Sequence, residues 1–344
     1  MAPRGGAAFL EASDLERWTL DELLAEVRQR EGAGKRLRGA VKGARSRGRL
    51  RARDGLGDVP TPHLVRAIAD RQRVIYGVDG RKDLYQVRAG RVRKVADSVA
   101  ALVLASDLHR RRDGAYELRT TSYRKDYKLC RREPFSTQRL GCFCSGFLVG
   151  ADVIATAGHC VEGAADLARM RFVFGFAMID AARARTRFEA GDVYAGTAII
   201  GRKLTQHGPD WALVRLDRPV IGRRALAVRR SGRIGQGQPV FVIGHPNGLP
   251  TKFADGASVR DNAHKDFFVA NLDTYGGNSG SPVFNARSFQ VEGILVRGEN
   301  DFVRRGGCKV SLVCPDRGCR GEDVTRASVW RGDVPRRPSR RRRR

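Results

Sequence analysis

A hydroxyl, an imidazole and a carboxylate stand in this chain in surroundings that suit acyl chemistry. Ser279 lies in the run Asp273-Thr274-Tyr275-Gly276-Gly277-Asn278-Ser279-Gly280-Ser281-Pro282, His159 in Thr156-Ala157-Gly158-His159-Cys160, and Asp210 opens Asp210-Trp211-Ala212-Leu213-Val214. A serine hydroxyl is a weak nucleophile until an imidazole takes its proton and a carboxylate fixes the tautomer of that imidazole. The oxyanion formed on an attacked carbonyl must be met by backbone N–H groups with no side chain in the way, and Gly277 and Ser279 are the candidates to donate them. Gly-Asn-Ser-Gly alone reads equally well as a glycine-rich surface turn. One histidine among six is more often structural than catalytic. The three segments together favour chemistry.

Strands must deliver these groups. Phe147 to Thr156 alternates as two short strands around Gly150-Ala151-Asp152, which puts His159 just past a strand end. Cys144 lies 16 residues before Cys160, close enough on hairpin strands for a disulfide that pins the loop carrying His159. Asp210 heads an apolar run typical of a strand entering a core, so its carboxylate is expected to be buried and to need hydrogen bonds from an imidazole and nearby amides. Alternating patterns at 98–103, 170–176, 193–200, 211–216, 239–243, 267–271 and 291–296 predict an all-β domain.

The chain order His, Asp, Ser, with Cys-Ser-Gly-Phe-Leu-Val at 144–149, Gly-His-Pro at 244–246 and Gly-Asn-Ser-Gly-Ser-Pro at 277–282, resembles the chymotrypsin-fold serine peptidases, in the bacterial branch that contains the glutamyl endopeptidases. The resemblance covers roughly residues 73–335. It implies two six-stranded antiparallel β-barrels with His159, Asp210 and Ser279 in the cleft between them and no cofactor or metal. It also implies a serine endopeptidase working through an acyl-enzyme. The alternatives are a non-catalytic protein on the same scaffold that binds a polyanion or a partner, and an esterase or acyl transferase using the same machinery. Asn278 stands where animal digestive enzymes carry an aspartate that pairs with a freshly cut N-terminal amine. A neutral amide cannot make that pair, so activation by that switch is not expected.

By the same resemblance the substrate pocket is lined by Asp273, Thr274, Leu295, Val296, Arg297 and Gly298. Two clues conflict there. Asp273 occupies the place of a carboxylate that binds Arg or Lys, yet some glutamyl endopeptidases also carry an Asp-Thr-Tyr-Gly-Gly run. Those read glutamate with a histidine just after Gly-Ile, and here Leu295 follows Gly293-Ile294. Arg297 and Arg304-Arg305 suit acidic groups, but in so arginine-rich a chain a solvated role is favoured. The residue preferred at the cleavage site stays open.

The 344 residues carry a net charge of +28. The arginine run after Arg336 has no apolar content, so 336–344 is expected to be a disordered basic tail with weak, salt-dependent polyanion contacts. Seven cysteines, without Cys-x-x-Cys pairs or neighbouring histidines in the late trio Cys308, Cys314 and Cys319, favour disulfides over zinc. Beyond Cys144–Cys160 the pairing of Cys130, Cys308, Cys314 and Cys319 is open, with Cys142 expected to be left over. Disulfides favour a secreted or cell-envelope location, whereas residues 1–30 show no leader. A different start, another export route or a cytoplasmic enzyme with reduced thiols are the readings of that conflict. No apolar run reaches membrane-spanning length, and a monomer acting on protein or peptide substrates is expected.

Residues 1–72 differ in character. Thr19 and Glu22 form a capping box ahead of Leu20, Leu23, Leu24 and Val27 at helical spacing, and a second helix start lies at Thr61-Pro62 with Leu64, Val65 and Ile68 on one face. The segment reads as a propeptide, an adaptor or an extension without a role. Arg331-Gly332-Asp333 is expected to be a chance tripeptide.

Overall fold

Twelve strands close into two antiparallel rings in this computed structural model. The structure describes residues 75–205, 208–298, 302–315 and 318–335, together with Trp18, Glu22, Leu23, Ala25, Glu26 and Leu64 from the N-terminal segment. Glu22, Leu23, Ala25, Glu26 and Leu64 are helical, with Leu23 and Leu64 fully buried; the other residues of the two expected helices, and the tail 336–344, lie outside the described residues.

The first ring contains β1 (Val99–Leu104), β2 (Cys144–Leu148), β3 (Val153–Thr156), β4 (Met170–Phe174), β5 (Val193–Leu204) and β6 (Asp210–Leu216). It closes in the order β1-β2-β3-β6-β5-β4 and back to β1. The second contains β7 (Pro239–Gly244), β8 (Lys252–Asp261), β9 (Phe267–Ala270), β10 (Pro282–Asn285), β11 (Val291–Arg297) and β12 (Glu322–Arg326). Pairing of β7 with both β8 and β10 closes it in the order β7-β8-β9-β12-β11-β10. The two rings thus share one winding, the two-barrel architecture that the resemblance implies, and closure leaves neither barrel an unpaired edge.

Local composition explains several strands. The run Val-Ala-Ala-Leu-Val-Leu of β1 is apolar throughout because both its faces are covered. Ala100 and Leu102 join the main core, while Ala101 and Val103 pack on Leu108, Leu118 and Phe188 of a small outer sheet. The second barrel is filled by Val240, Val242, Ala254, Ala257, Val259, Phe268, Val283, Leu295 and Val324. A short C-terminal helix, Ala327–Trp330, ties the barrels together: fully buried Trp330 meets the Phe147 ring of β2 edge-on at 5.9 Å. The Arg331–Asp333 tripeptide is a 3-10 turn whose Arg331 donates to the Arg229 carbonyl at 2.9 Å.

The expected Cys144–Cys160 disulfide is present, joined by Cys130–Cys308 and Cys314–Cys319, and buried Cys142 is outside the disulfides. Among the described residues no helix is long and apolar enough to cross a membrane.

Candidate active site

Asp210 is the first residue of β6, and β6 pairs with β3, the strand that leads into His159. That pairing brings the two side chains together: His159 Nδ1 lies 2.6 Å from Asp210 Oδ2. The other carboxylate oxygen, Oδ1, accepts the Gly158 amide at 2.6 Å and the His159 amide at 3.2 Å. Only glycine fits at 158, because a Cβ there would come within 2.5 Å of the Lys203 carbonyl oxygen and 2.9 Å of that of Trp211. Burial pushes the Asp210 carboxyl up, but the His159 ring, its hydrogen bond, the Arg297 charge and the amide outweigh it, so its pKa lies below the ordinary value. The Asp210 amide donates to Thr325 Oγ1 of β12 at 3.2 Å, fastening the acid to the second barrel. The imidazole keeps an open edge, with 15% of its side chain exposed against 1% for Asp210. The sulfurs of Cys144 and Cys160 and a His159 ring nitrogen lie within 4.8 Å of one another. Both sulfurs are spent in the disulfide, so they offer no thiolate to a metal.

Ser279 sits in the loop between β9 and β10, pressed against the first barrel. Its carbonyl accepts the Ser145 amide at 2.8 Å, and Cys160 Sγ is 3.8 Å from the same oxygen. Gly280, at φ +88°, lets the loop approach: a Cβ there would meet the Ser145 carbonyl oxygen at 2.0 Å and Thr156 Oγ1 at 2.4 Å. The segments carrying His159 and Ser279 are therefore in direct contact.

The peptides around Gly277 and Ser279 are each anchored by their carbonyls. Gly276 O accepts the Asn247 amide, and Asn278 O accepts the Ser281 amide at 2.9 Å. A trans peptide points its N–H opposite to its C=O, so the Gly277 and Ser279 N–H groups are directed away from these anchors. Gly277 itself, at φ +73°, packs so that a Cβ would lie 2.6 Å from the His245 carbonyl oxygen. Ser145 bridges the two barrels at this point. Its Oγ donates to Gly277 O at 2.9 Å and accepts the His245 amide at 3.0 Å, and its carbonyl accepts Thr156 Oγ1 at 2.7 Å. Asn278 is buried, its side-chain oxygen 3.4 Å from Ser281 Oγ, with no carboxylate there to demand a cation.

His245 was legible only as part of Gly-His-Pro. The structure places it, fully buried, beneath the loop that holds Gly277, stacked on Phe176 at 5.9 Å with Nδ1 3.1 Å from the Leu249 carbonyl oxygen. Burial holds its pKa down at about 4. The unfolded chain therefore binds the proton first, and the stability that neutral His245 confers above pH ~6.5 drains away as pH falls towards 4, by about 3 kcal/mol. Asp273 works in the opposite sense, because burial raises it to about 6 and the native state protonates first. A His245→Asn variant isolates the first effect: the difference in unfolding free energy between wild type and variant, from denaturant melts, is expected to shrink by about 3 kcal/mol between pH 7 and pH 4. A difference constant with pH would contradict this.

Of the residues expected to line a pocket, Thr274, Leu295 and Val296 are buried, and Gly298 is half-buried past the end of β11. Arg297 corrects the expectation of a solvated arginine. Its Nη2 donates to the carbonyls of Thr205 and Gly208, both at 2.8 Å, and Nη1 lies 3.6 Å from Asp323, so it clamps a loop of the first barrel to β12. Asp273 accepts the Tyr76 amide at 2.8 Å and the Gly80 amide at 2.7 Å. Ser145 and Thr156 are marked in the sequence only as polar side chains inside apolar strands, and Thr325, in Glu-Asp-Val-Thr-Arg, carries no local signal.

Residues 144–294 match the family model of the trypsin-like peptidase domain. The glutamyl endopeptidase of Bacillus licheniformis is 27% identical over 154 residues, which is 42% of this chain and 46% of that protein, so the chain spans about half the length of this curated relative. Among solved structures, a Glu endopeptidase in complex with MPD aligns over 76% of this chain and 97% of its own at 16% identity and a TM-score of 0.45. The Vibrio cholerae VesB protease aligns over 76% of this chain and 66% of its own at the same identity and score.

Proposed function

We propose that this chain, whose residues 144–294 match the family model of the trypsin-like peptidase domain, is a serine endopeptidase that cleaves peptide bonds through an acyl-enzyme on Ser279. The observation that carries the reading is the 2.6 Å contact of His159 Nδ1 with Asp210 Oδ2, in a segment packed on the Ser279 loop. With Nδ1–H given to the carboxylate, the lone pair on Nε2 is the basic face of the ring. Nε2 takes the Ser279 proton as Oγ attacks the peptide carbon. The carbonyl electron pair moves onto oxygen, where the Gly277 and Ser279 amides meet it. Collapse expels the amine, which leaves with the proton from Nε2. Water then enters, His159 again takes a proton, and collapse releases the acid and restores Ser279. Asp210 orients the ring and balances its transient charge throughout. Three disulfides favour an oxidising compartment for this work.

The test is a fluorophosphonate probe on the folded full-length chain. Mass spectrometry is expected to find one phosphonyl adduct on Ser279, absent from Ser279→Ala; an unlabelled wild type would overturn the reading.

Ser145 is read as a positioning residue, because its hydroxyl holds Gly277 in place without touching substrate. Ser145→Ala keeps the amide bond to Ser279 O and loses both hydroxyl bonds. A kcat about tenfold lower with KM within about twofold is expected, together with recovery in Ser145→Thr. Equal effects on kcat and KM, or no recovery, would indicate a general packing role.

A further inference from the structure

We propose that Asp273 is the receptor for the chain's own N-terminal strap, residues 75–83, and therefore does not select Arg or Lys at the cleavage site. The inference rests on the peptidase reading, which puts Asp273 in the substrate pocket. Both carboxylate oxygens are already occupied. Oδ1 takes the Tyr76 amide at 2.8 Å and Oδ2 the Gly80 amide at 2.7 Å, and the residue is 6% exposed. The strap lies directly on the carboxylate: a Cβ on Gly80 would stand 3.0 Å from Asp273 Oδ2 and 3.2 Å from the Asp255 carbonyl oxygen. No guanidinium or ammonium fits between them.

The strap is itself tightly held. Ile75–Tyr76 runs parallel to Val313–Cys314, whose Cys314 is bonded to Cys319, and Arg81–Asp83 pairs antiparallel with β8. Arg81 forks onto Asp79, with Nε to Oδ1 at 2.8 Å and Nη2 to Oδ2 at 2.7 Å, and its guanidinium covers the Tyr275 ring at 4.1 Å. Asp83 meets Lys252 of β8 in a buried ion pair at 2.6 Å. A substrate cation reaching Asp273 would have to break two charge-assisted hydrogen bonds and enter beside the Arg81 charge. The trade is unfavourable, because a backbone amide stripped of its acceptor in a buried site is left unsatisfied.

A positioning role follows from the chain distance. Asp273 is six residues before Ser279, so the strap steadies the loop that presents the nucleophile.

The test uses the full-length protein and two readouts. In the first, wild type is profiled on a peptide library, with Arg and Lys at the cleavage position expected to be enriched by less than about threefold. In the second, hydrogen exchange across residues 75–81 is compared at neutral pH between wild type and Asp273→Asn. The neutral amide keeps at most one acceptor for two donors, so exchange is expected to rise by about tenfold or more. The variant should lower kcat/KM for all peptides by a similar factor and leave the profile unchanged. A wild type that cuts preferentially after Arg or Lys, with that preference erased in Asp273→Asn and the exchange of 75–81 unaltered, would overturn the proposal. If Asp273→Asn does not fold, Gly80→Ala serves in its place, since its methyl group presses on the carboxylate, and the wild-type profile still decides. Absent fluorophosphonate labelling would sink the peptidase reading alone, because strap exchange is measured without turnover.

Discussion

Ser279→Ala is expected to abolish peptide hydrolysis, lowering kcat by about 10⁶-fold, while Asp210→Asn lowers it by about 10⁴-fold with the fold intact. The two differ for a physical reason. Without the hydroxyl there is no acyl-enzyme at all. With an amide at 210 the hydroxyl survives, but the partner of His159 Nδ1 can now present an N–H, which favours the tautomer whose Nε2 carries the proton and cannot act as a base. Loss of the Gly158 and His159 amide acceptor is smaller, since the side-chain oxygen of asparagine can still receive them. Turnover of a fluorogenic peptide pool checks both, and circular dichroism confirms that each variant is folded. An Asp210→Asn variant with near wild-type kcat would remove the orienting role assigned to that carboxylate.

The second large effect is on stability. Lys252 is 2% exposed, with Nζ 2.6 Å from Asp83 Oδ1 and bonds of 2.8 Å to both Gln138 Oε1 and the Pro250 carbonyl. Gln138 Nε2 donates to Asp83 Oδ2 at 2.9 Å, closing a buried three-residue network. Burial lowers the lysine to about 8 in spite of the facing carboxylate, so it is still charged at neutral pH. Lys252→Met leaves the Asp83 carboxylate buried without its cation. A loss of about 3–5 kcal/mol is expected, which for a domain of this size is a fall of about 10 °C in Tm. Replacing both partners, Asp83→Leu with Lys252→Met, should recover part of the loss, because no buried charge is then uncompensated. A single variant within about 1 kcal/mol of wild type in urea melts would show that the pair is not a pillar of the strap.

Ser279, His159 and Asp210, the groups of the proposed site, stand out in the chain because each sits in a short segment whose chemistry and strand context are local, and the Cys144–Cys160 bond follows from one hairpin. The strands that escaped notice are instructive. β12, Glu-Asp-Val-Thr-Arg, looks like a surface segment, yet all five residues are buried. Asp323 is paired with Arg297 and Arg320, and Arg326 bonds to Asn262 and the His264 carbonyl, so these two charges are matched inside the fold. β8 hides its alternation behind a bulge, an inward Lys252 and Gly256 at φ +85°.

By itself the sequence determined the two-barrel class and the bond that pins His159, and it singled out the groups proposed for acyl chemistry, since these depend on residue type and on periodicity over a few positions. Tertiary structure alone decided what those groups touch. Asp273 meets Tyr76 across 197 residues, Ser145 meets Gly277 across 132, and Cys130 joins Cys308 across 178. A carboxylate written in a motif is the same whether it faces a substrate or a backbone amide. Its role is fixed by whichever donor the closed barrels bring within 3 Å of it, and local pattern carries no record of that distance.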